Sequence, residues 1–347
     1  MIVILIAILC TFLFYYLACL SYGSSKQKIF FIASFIVSAF TLRLLLNPNL
    51  NNDYLLYYSF KIFHKPHGFF SYLLNEPYLY SVYSIFNIFI GSQETVFLAM
   101  YWFNCLITTS FFVWLAGRLD VQIWKKMLLF VLHFFLFGFV LLRNGPAYIL
   151  FALFFYYSFR NKPFKWVILT PFIHVSSCLL LTTFFYKSKN YFKFLVLGIL
   201  AVLLFFFLFK SFLIDVPAFD SILNKINSYS KNNIGYGFMH ICFFTFVLSI
   251  ILIGFLFQKD NMKHPILITT IFFYISTFFI NPVVGHRFSP YLIFALLLYP
   301  FDTIISEKKI RIVNQLSVFL FPIFVYALFQ THRTEMFREI LSNSLFN

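Results

Sequence analysis

Residues 47–80 read NPNLNNDYLLYYSFKIFHKPHGFFSYLLNEPYLY, a polar island between long apolar segments. The island holds Asp53 and Glu76, two of only 11 acidic residues in 347. Almost everything else before Gly91 is apolar enough to dissolve in lipid. A chain this poor in acid that keeps two carboxylates beside a group of tyrosines marks them as candidates for chemistry.

Outward from that island the composition sets the class. Hydrophobic residues make up 61% and charged residues 11% of the chain, and mean hydropathy is +0.87. Soluble domains carry about 25% charge, so the reading is a membrane protein. Apolar runs near the ~20 residues needed to cross a bilayer core as a helix recur along the sequence. Expected spans cover 1–20, 28–46, 95–116, 127–142, 146–160, 193–210, 236–257, 265–281, 288–305 and 311–330. Two segments stand apart: 77–91 is short for a span, and 164–186 carries Pro171 and His174 near its middle. The whole of 1–347 reads as one all-α integral membrane domain, with its longer external loops near 47–76 and 211–236.

The net charge of +15 points to the membrane surface rather than to nucleic acid. Lys and Arg fall in short runs between apolar segments, at Lys26/Lys28, Lys125/Lys126, Arg160/Lys162/Lys165, Lys187/Lys189/Lys193, Lys259/Lys263 and Lys308/Lys309/Arg311. Cytoplasmic loops show this pattern under the positive-inside rule. If neither 77–91 nor 164–186 makes a net crossing, every basic run lies on one side. The loops with Asp53, Arg143, Gly235 and Arg287 then lie on the other. The expectation is an external N-terminus, about ten crossings and two short or re-entrant pieces, which are tolerable only where protein or a wet cavity surrounds them. The first segment lacks a basic n-region and a small-residue cleavage site, so it is expected to stay as a helix. Cys10, Cys19, Cys105, Cys178 and Cys242 lie in apolar runs without CxxC or His spacing and read as small buried hydrophobes, with no metal site.

The candidate site residues cluster at the ends of the apolar runs. Asp53 and Tyr57 share a face if a short helix starts near Asn52, although Asp53 also suits a helix N-cap. Glu76 precedes Pro77, which fits a helix start as well as a catalytic carboxylate. Arg143 lies between an apolar run and Asn144-Gly145-Pro146, with no acidic neighbour in sequence. Such an Arg suits either snorkelling to the membrane interface or a site, for which a boundary Arg is a candidate by default, and its fork matches phosphate oxygens. His174 suits either a core histidine or a site. The segment ending Asn233-Ile234-Gly235-Tyr236-Gly237 permits close backbone approach to a ligand or a plain turn. Gly285-His286-Arg287-Phe288-Ser289-Pro290-Tyr291 puts Arg287 and Tyr291 one turn apart if a helix begins there. No P-loop, GxGxxG, HExxH or Asp-x-Asp pair is present.

This ordered set resembles the EpsG/Wzy group of bacterial polysaccharide polymerases. The resemblance rests on Asp53-Tyr54 with Tyr57, on Glu76-Pro77 with Tyr78, and on Arg143 with Ala147. His174 with Ser176 and Arg287 with Tyr291 complete it. Asn51-Asn52 replaces a Gly usual before the Asp-Tyr pair, and Asn144 replaces a Gln common after the Arg. The resemblance implies a GT-C-like bundle of about 10–12 membrane segments in the bacterial cytoplasmic membrane. It implies inverting, metal-independent and cofactor-free transfer from polyprenyl-diphosphate-linked oligosaccharides, with a flippase and chain-length regulators as partners alongside membrane lipid. Arg143 and Arg287 would hold the diphosphate, and Asp53 or Glu76 would act as base or position the acceptor. His174 and His286 would be support or alternative bases, and Tyr54, Tyr57, Tyr78, Tyr236 and Tyr291 would position sugars. Asp215 and Asp220 are the other acids away from the basic face. The alternatives are an O-antigen-ligase-like or single-addition glycosyltransferase and, from another class, a lipid-linked oligosaccharide transporter.

Overall fold

Ser92 opens the longest helix among the described residues: its extended backbone and side-chain oxygen, 3.4 Å from the Thr95 amide, cap Gln93–Ala116. The computed structural model describes residues 2–21, 24–44, 77–133, 137, 143–174, 177–200, 244–245, 248, 264–280, 282–300, 308–309 and 311–316. Among these every regular element is helical, so the chain is all-α there. In order the main helices are α1 (Ile2–Leu20), α2 (Lys26–Leu44), α3 (Pro77–Phe89), α4 (Gln93–Ala116), α5 (Ile123–Leu132) and α6 (Gly145–Ser158). They are followed by α7 (Tyr191–Leu200) and by α8 (Pro265–Ile280) and α9 (Pro282–Leu298). Helix α4, at 24 residues, is the one helix among the described residues long and apolar enough to cross a membrane.

The two exceptional segments of the sequence are short in the structure. Pro77 does begin a helix, but α3 has 13 residues, roughly 20 Å at 1.5 Å per residue. Residues 166–173 and 178–185 form four-residue turns, Trp166–Leu169, Thr170–Ile173, Cys178–Leu181 and Thr182–Phe185. Pro171 falls in the second of these turns, and the backbone leaves helical geometry at His174, with φ −151° and ψ 111°.

The chain divides into two compact units. The first comprises Met1–His64, Leu79–Ile149 and Ile305–Asn347. Its core gathers α1, α2, α4 and α5 around Phe130, whose ring lies 5.2 Å from Tyr15 and 5.3 Å from Phe35. Ser34 ties α2 to α1 by donating to the Thr11 carbonyl at 3.1 Å. Asn314, 190 positions along the chain, accepts the Trp124 amide at 3.3 Å and donates to Gln122 at 3.2 Å. A distant side chain thereby caps α5, whose own N-cap Gln122 does not.

The second unit comprises Lys65–Tyr78 and Leu150–Ile304. Its frame is the α8–α9 pair, with the later part of α6 and α7 against it. Tyr191 bonds Thr269 of α8 at 2.8 Å, and Phe151 of α6 meets Tyr291 of α9 edge to face at 5.1 Å.

Polarity is inverted on several helices. On α1 the exposed side chains are Ile6, Leu9, Leu13 and Leu20, while Thr11, Tyr15 and Ala18 are buried. On α8, Ile268, Phe272 and Phe279 face outward and Thr269, Thr270 and Thr277 inward. The inward threonines satisfy themselves on the preceding turn: Thr11 donates to Ala7, Thr270 to Ile266 and Thr277 to Phe273.

Two sequence expectations need correction. Lys125 and Lys126 do not sit in an exposed loop: they belong to the first turn of α5 and are each only 2% exposed. Their aliphatic stems pack inward, and the Lys126 ammonium lies 5.0 Å from the Phe31 ring. Cys19 and Cys105 are buried as expected, but Cys178 is exposed and Cys10 is half-buried. Cys178 opens a four-residue turn whose buried side is taken by Leu180.

Candidate functional site

Asn144 breaks the chain ahead of α6. Its carbonyl accepts the amides of Ala147 and Tyr148 at 3.1 and 3.2 Å, and Gly145-Pro146 begin the helix. Proline at this point needs no intrahelical donor. Half-buried Arg143 precedes this start, and its Nε donates to Asn144 Oδ1 at 3.2 Å. The guanidinium is therefore held by its own neighbour at the positive end of α6, where anions are favoured. Arg143 and Ala147 belong to the first unit.

The remaining described candidates belong to the second unit. Helix α9 begins at Pro282, six residues before the expected start of the last-but-one span, so Arg287 lies inside the helix. Tyr291 follows one turn later and is fully buried against Phe151 and Phe288. Arg287 is half-buried. The helix is set close to α8 by Gly285, where a Cβ would meet the Phe278 Cα at 2.7 Å. Gly285 and Ser289 form a small-xxx-small face of the kind that lets helices approach in lipid.

His174 is 3% exposed. Its amide donates to the Thr170 carbonyl at 2.8 Å, and its carbonyl accepts from Ser177 at 3.0 Å. The Ser177 hydroxyl is buried without a partner among the described residues. The sequence pattern points to Ser176, which lies outside the described residues, whereas the structure adds its neighbour Ser177; a serine doublet beside a proline-bearing segment is the signal for it. Tyr78 is half-buried in the first turn of α3. Asp53, Tyr54, Tyr57, Glu76 and Tyr236 lie outside the described residues, as do Asp215 and Asp220. His286 has its backbone in α9, but its side chain lies outside them too.

One buried polar centre was not anticipated. His133 sits at the end of α5, flanked by the Phe35 and Phe112 rings at 5.3 and 5.0 Å. Its Nδ1 faces Ser38 Oγ at 3.4 Å and its Nε2 faces Thr109 Oγ1 at 3.5 Å. Each hydroxyl can donate or accept, so a neutral ring is accommodated in either tautomer. Three helices, α2, α4 and α5, thereby share one imidazole. In sequence it is a lone His within an apolar run, and no spacing rule connects it with Ser38 or Thr109.

Among the described residues no group of three or more His, Cys, Asp or Glu side chains is placed to hold a metal ion. The first unit has Arg143 ahead of a helix start, and the second has Arg287 within a helix and the buried His174 at a helix break. Comparison with protein-family models, with curated proteins and with solved structures finds no match to this chain.

Proposed function

We propose that this chain is a polytopic polymerase of the bacterial cytoplasmic membrane, joining polyprenyl-diphosphate-linked oligosaccharide units at the outer face. The observation that carries the reading is Arg287: a guanidinium within an apolar helix, one turn before a buried tyrosine and beside a close helix–helix contact. An ionisable residue in such a helix is functional by default, and a guanidinium suits a diphosphate better than any other side chain. Outward Ile, Leu and Phe stripes on α1 and α8, with inward hydroxyls, support placement in lipid, where helices gain nothing by hiding apolar faces from one another.

The chemistry assigns each group a task. An acceptor hydroxyl oxygen attacks the anomeric carbon from the face opposite the diphosphate. The bond from that carbon to the diphosphate oxygen breaks, and its electron pair leaves with the lipid diphosphate. Arg287 neutralises the growing charge there, as fixed cations do in oxyanion-type stabilisation. Arg143 is the second cation that the sequence resemblance assigns to this work. The acceptor proton passes to a base, for which Asp53, Glu76 and His174 are the candidates.

Purified protein incubated with lipid-linked repeat units tests the reading. A polymerase yields lipid-linked chains of many units and one lipid diphosphate per bond formed. A single addition product would identify a ligase-like or single-addition enzyme. Movement of the intact lipid across vesicles without any new glycosidic bond would identify a transporter and overturn the proposal.

A further inference from the structure

The chain that follows α6 leaves the end of that helix and comes back to it. Asn161, just past the helix, has φ 56°, and the Lys162 amide donates back to the Tyr157 carbonyl at 2.9 Å. This is a left-handed C-terminal turn, which reverses the chain. Phe164 then lies flat on Tyr157, the rings 5.6 Å apart and 5° from parallel. On the way back, Phe184 meets Phe154 at 6.3 Å. Tyr186 donates to the Ser158 carbonyl at 3.3 Å, across 28 positions of sequence. Phe164 and Tyr186 thus both stand at the last turn of α6, and the segment between them makes no net crossing.

Two arms fill the excursion, 166–173 and 178–185, each of two four-residue turns. At about 1.5–2.0 Å per residue an arm reaches roughly 12–16 Å, about half of a bilayer's hydrocarbon core. The second arm lies along α8. Both arms turn their polar groups inward: Thr170 and Thr183 are buried and donate to Val167 and Leu180 on their own turns. Outward stand Trp166 and Phe185, each 66% exposed, with Phe172 and Leu179 also exposed. Inward hydroxyls that satisfy themselves and outward aromatic rings suit lipid and not water.

The ends of the excursion are basic. Lys162 and Lys165 before the first arm, and Lys187 and Lys189 after the second, are all exposed. The Lys187 ammonium lies 5.7 Å from the Tyr186 ring, at the point of return. Aromatic side chains next to lysines mark the level of lipid headgroups.

We propose that residues 162–189 form a hairpin that docks into the anionic lipid of one leaflet, entering and leaving by the same face. Trp166, Phe172, Leu179 and Phe185 lie among the acyl chains, and Lys162, Lys165, Lys187 and Lys189 lie on the headgroup phosphates. A lysine at such a surface is worth about 1 kcal/mol of attraction. This surface rests on the membrane placement proposed above but not on the glycosyl-transfer chemistry.

The test uses the full-length protein. In sealed vesicles of one orientation, single cysteines at Lys162 and Ser188, in a cysteine-free variant that melts like the wild type, should react with an impermeant maleimide from the same side. Labelling from opposite sides overturns the hairpin. A bimane on Phe172→Cys should be quenched by nitroxide-bearing acyl chains and not by aqueous iodide, as should one on Leu106→Cys, an exposed position of α4. Iodide quenching at 172 alone overturns the docking and leaves the membrane placement standing; iodide quenching at both positions overturns the two together. In the protein with its native cysteines, phosphatidylglycerol added in neutral detergent should raise the melting temperature more than phosphatidylcholine does. Lys187→Gln/Lys189→Gln should melt as the wild type without lipid, yet should need about tenfold or more phosphatidylglycerol for the same rise. An equal response to both lipids, or an unchanged response in the double variant, overturns the anionic-lipid assignment. Polymer formation by the same preparations is scored separately, so failure of this surface leaves the enzymatic reading standing and the reverse.

Discussion

Gly285 lies against the backbone of Phe278, so near that a Cβ would fall 2.7 Å from Phe278 Cα and 2.9 Å from its Cβ. The obstacle is main chain, which cannot turn aside as a flexible side-chain tip can. Arg287 is carried two residues further along the same helix, so this contact sets its position. Gly285→Ala should cost about 1–3 kcal/mol through overpacking and reduce polymer formation together with the melting temperature. Ser289→Ala, which keeps the small face, should change both little. Wild-type stability in Gly285→Ala would mean that α9 is free to shift.

The cations are tested by exchanging geometry while keeping charge. Arg287→Lys and Arg143→Lys each retain a positive group but lose the planar fork. Both should lower polymer formation by about tenfold or more, as removal of transition-state electrostatic contacts does, while insertion and melting stay near wild type. Arg160 serves as the control, since its guanidinium covers the Tyr156 ring and donates to the Tyr156 carbonyl. Arg160→Lys should polymerise normally. Normal polymer from both Arg143→Lys and Arg287→Lys would remove the diphosphate role.

What the sequence revealed depended on the distance over which each signal acts. The helix limits of α1, α2, α4 and α8 followed from runs of apolar residues, a local property. The breaks at Pro77, at Asn144-Gly145-Pro146 and near Pro171 were equally local, because proline and glycine act on their own backbone. Arg287 and Tyr291 could be put on one face for the same reason. Tertiary features were not readable. Asn314 caps a helix 190 positions away, and His133 collects hydroxyls from two other helices. Lys125 and Lys126 looked like a solvated basic run, because nothing in their neighbours announces the Phe31 ring that covers Lys126.

The His133 centre should matter for stability more than for chemistry. His133→Ala removes the ring from between Phe35 and Phe112 and leaves a cavity, for which about 2–4 kcal/mol is expected from comparable truncations. His133→Phe fills the space, and the Ser38 and Thr109 hydroxyls it leaves can turn to a carbonyl on their own helix, so its cost should be nearer 1 kcal/mol. Denaturation in detergent distinguishes the two. A larger loss from Phe than from Ala would show that the hydrogen bonds, rather than the packing, hold these helices.

His264 gives a pH dependence with a definite sign. It lies just before α8, enclosed by Phe159, Tyr186 and Tyr299 at 5.0, 5.4 and 6.1 Å. Burial pushes its pKa down to about 4 from an ordinary 6.5. Its Nδ1 also accepts the Ile266 amide at 3.3 Å, a bond that needs that nitrogen unprotonated. Between pH 4 and 6.5 the unfolded chain therefore binds more protons than the folded one, so stability rises with pH across that window. Melting temperature should fall as pH drops from about 6.5 toward 4. His264→Phe should flatten this part of the profile; an unchanged slope would assign it to other groups.

The base is the last open role, and substitution separates its candidates by kind of effect. A helix cap is worth about 1 kcal/mol of stability, whereas general-base assistance is worth about 10²–10⁴-fold in rate. Asp53→Asn keeps both shape and capping ability, so as a base Asp53 should lose nearly all polymer at unchanged melting temperature. Glu76→Gln should do so less completely. His174→Ala should lose activity and stability together, because the ring is buried at the point where the backbone leaves helical geometry. Melting and polymer length measured on the same three preparations decide among them. If Asp53→Asn polymerises normally and only Asp53→Ala melts early, Asp53 is a cap. Proton transfer would then fall to Glu76 if Glu76→Gln is inactive at normal stability, and otherwise to a histidine.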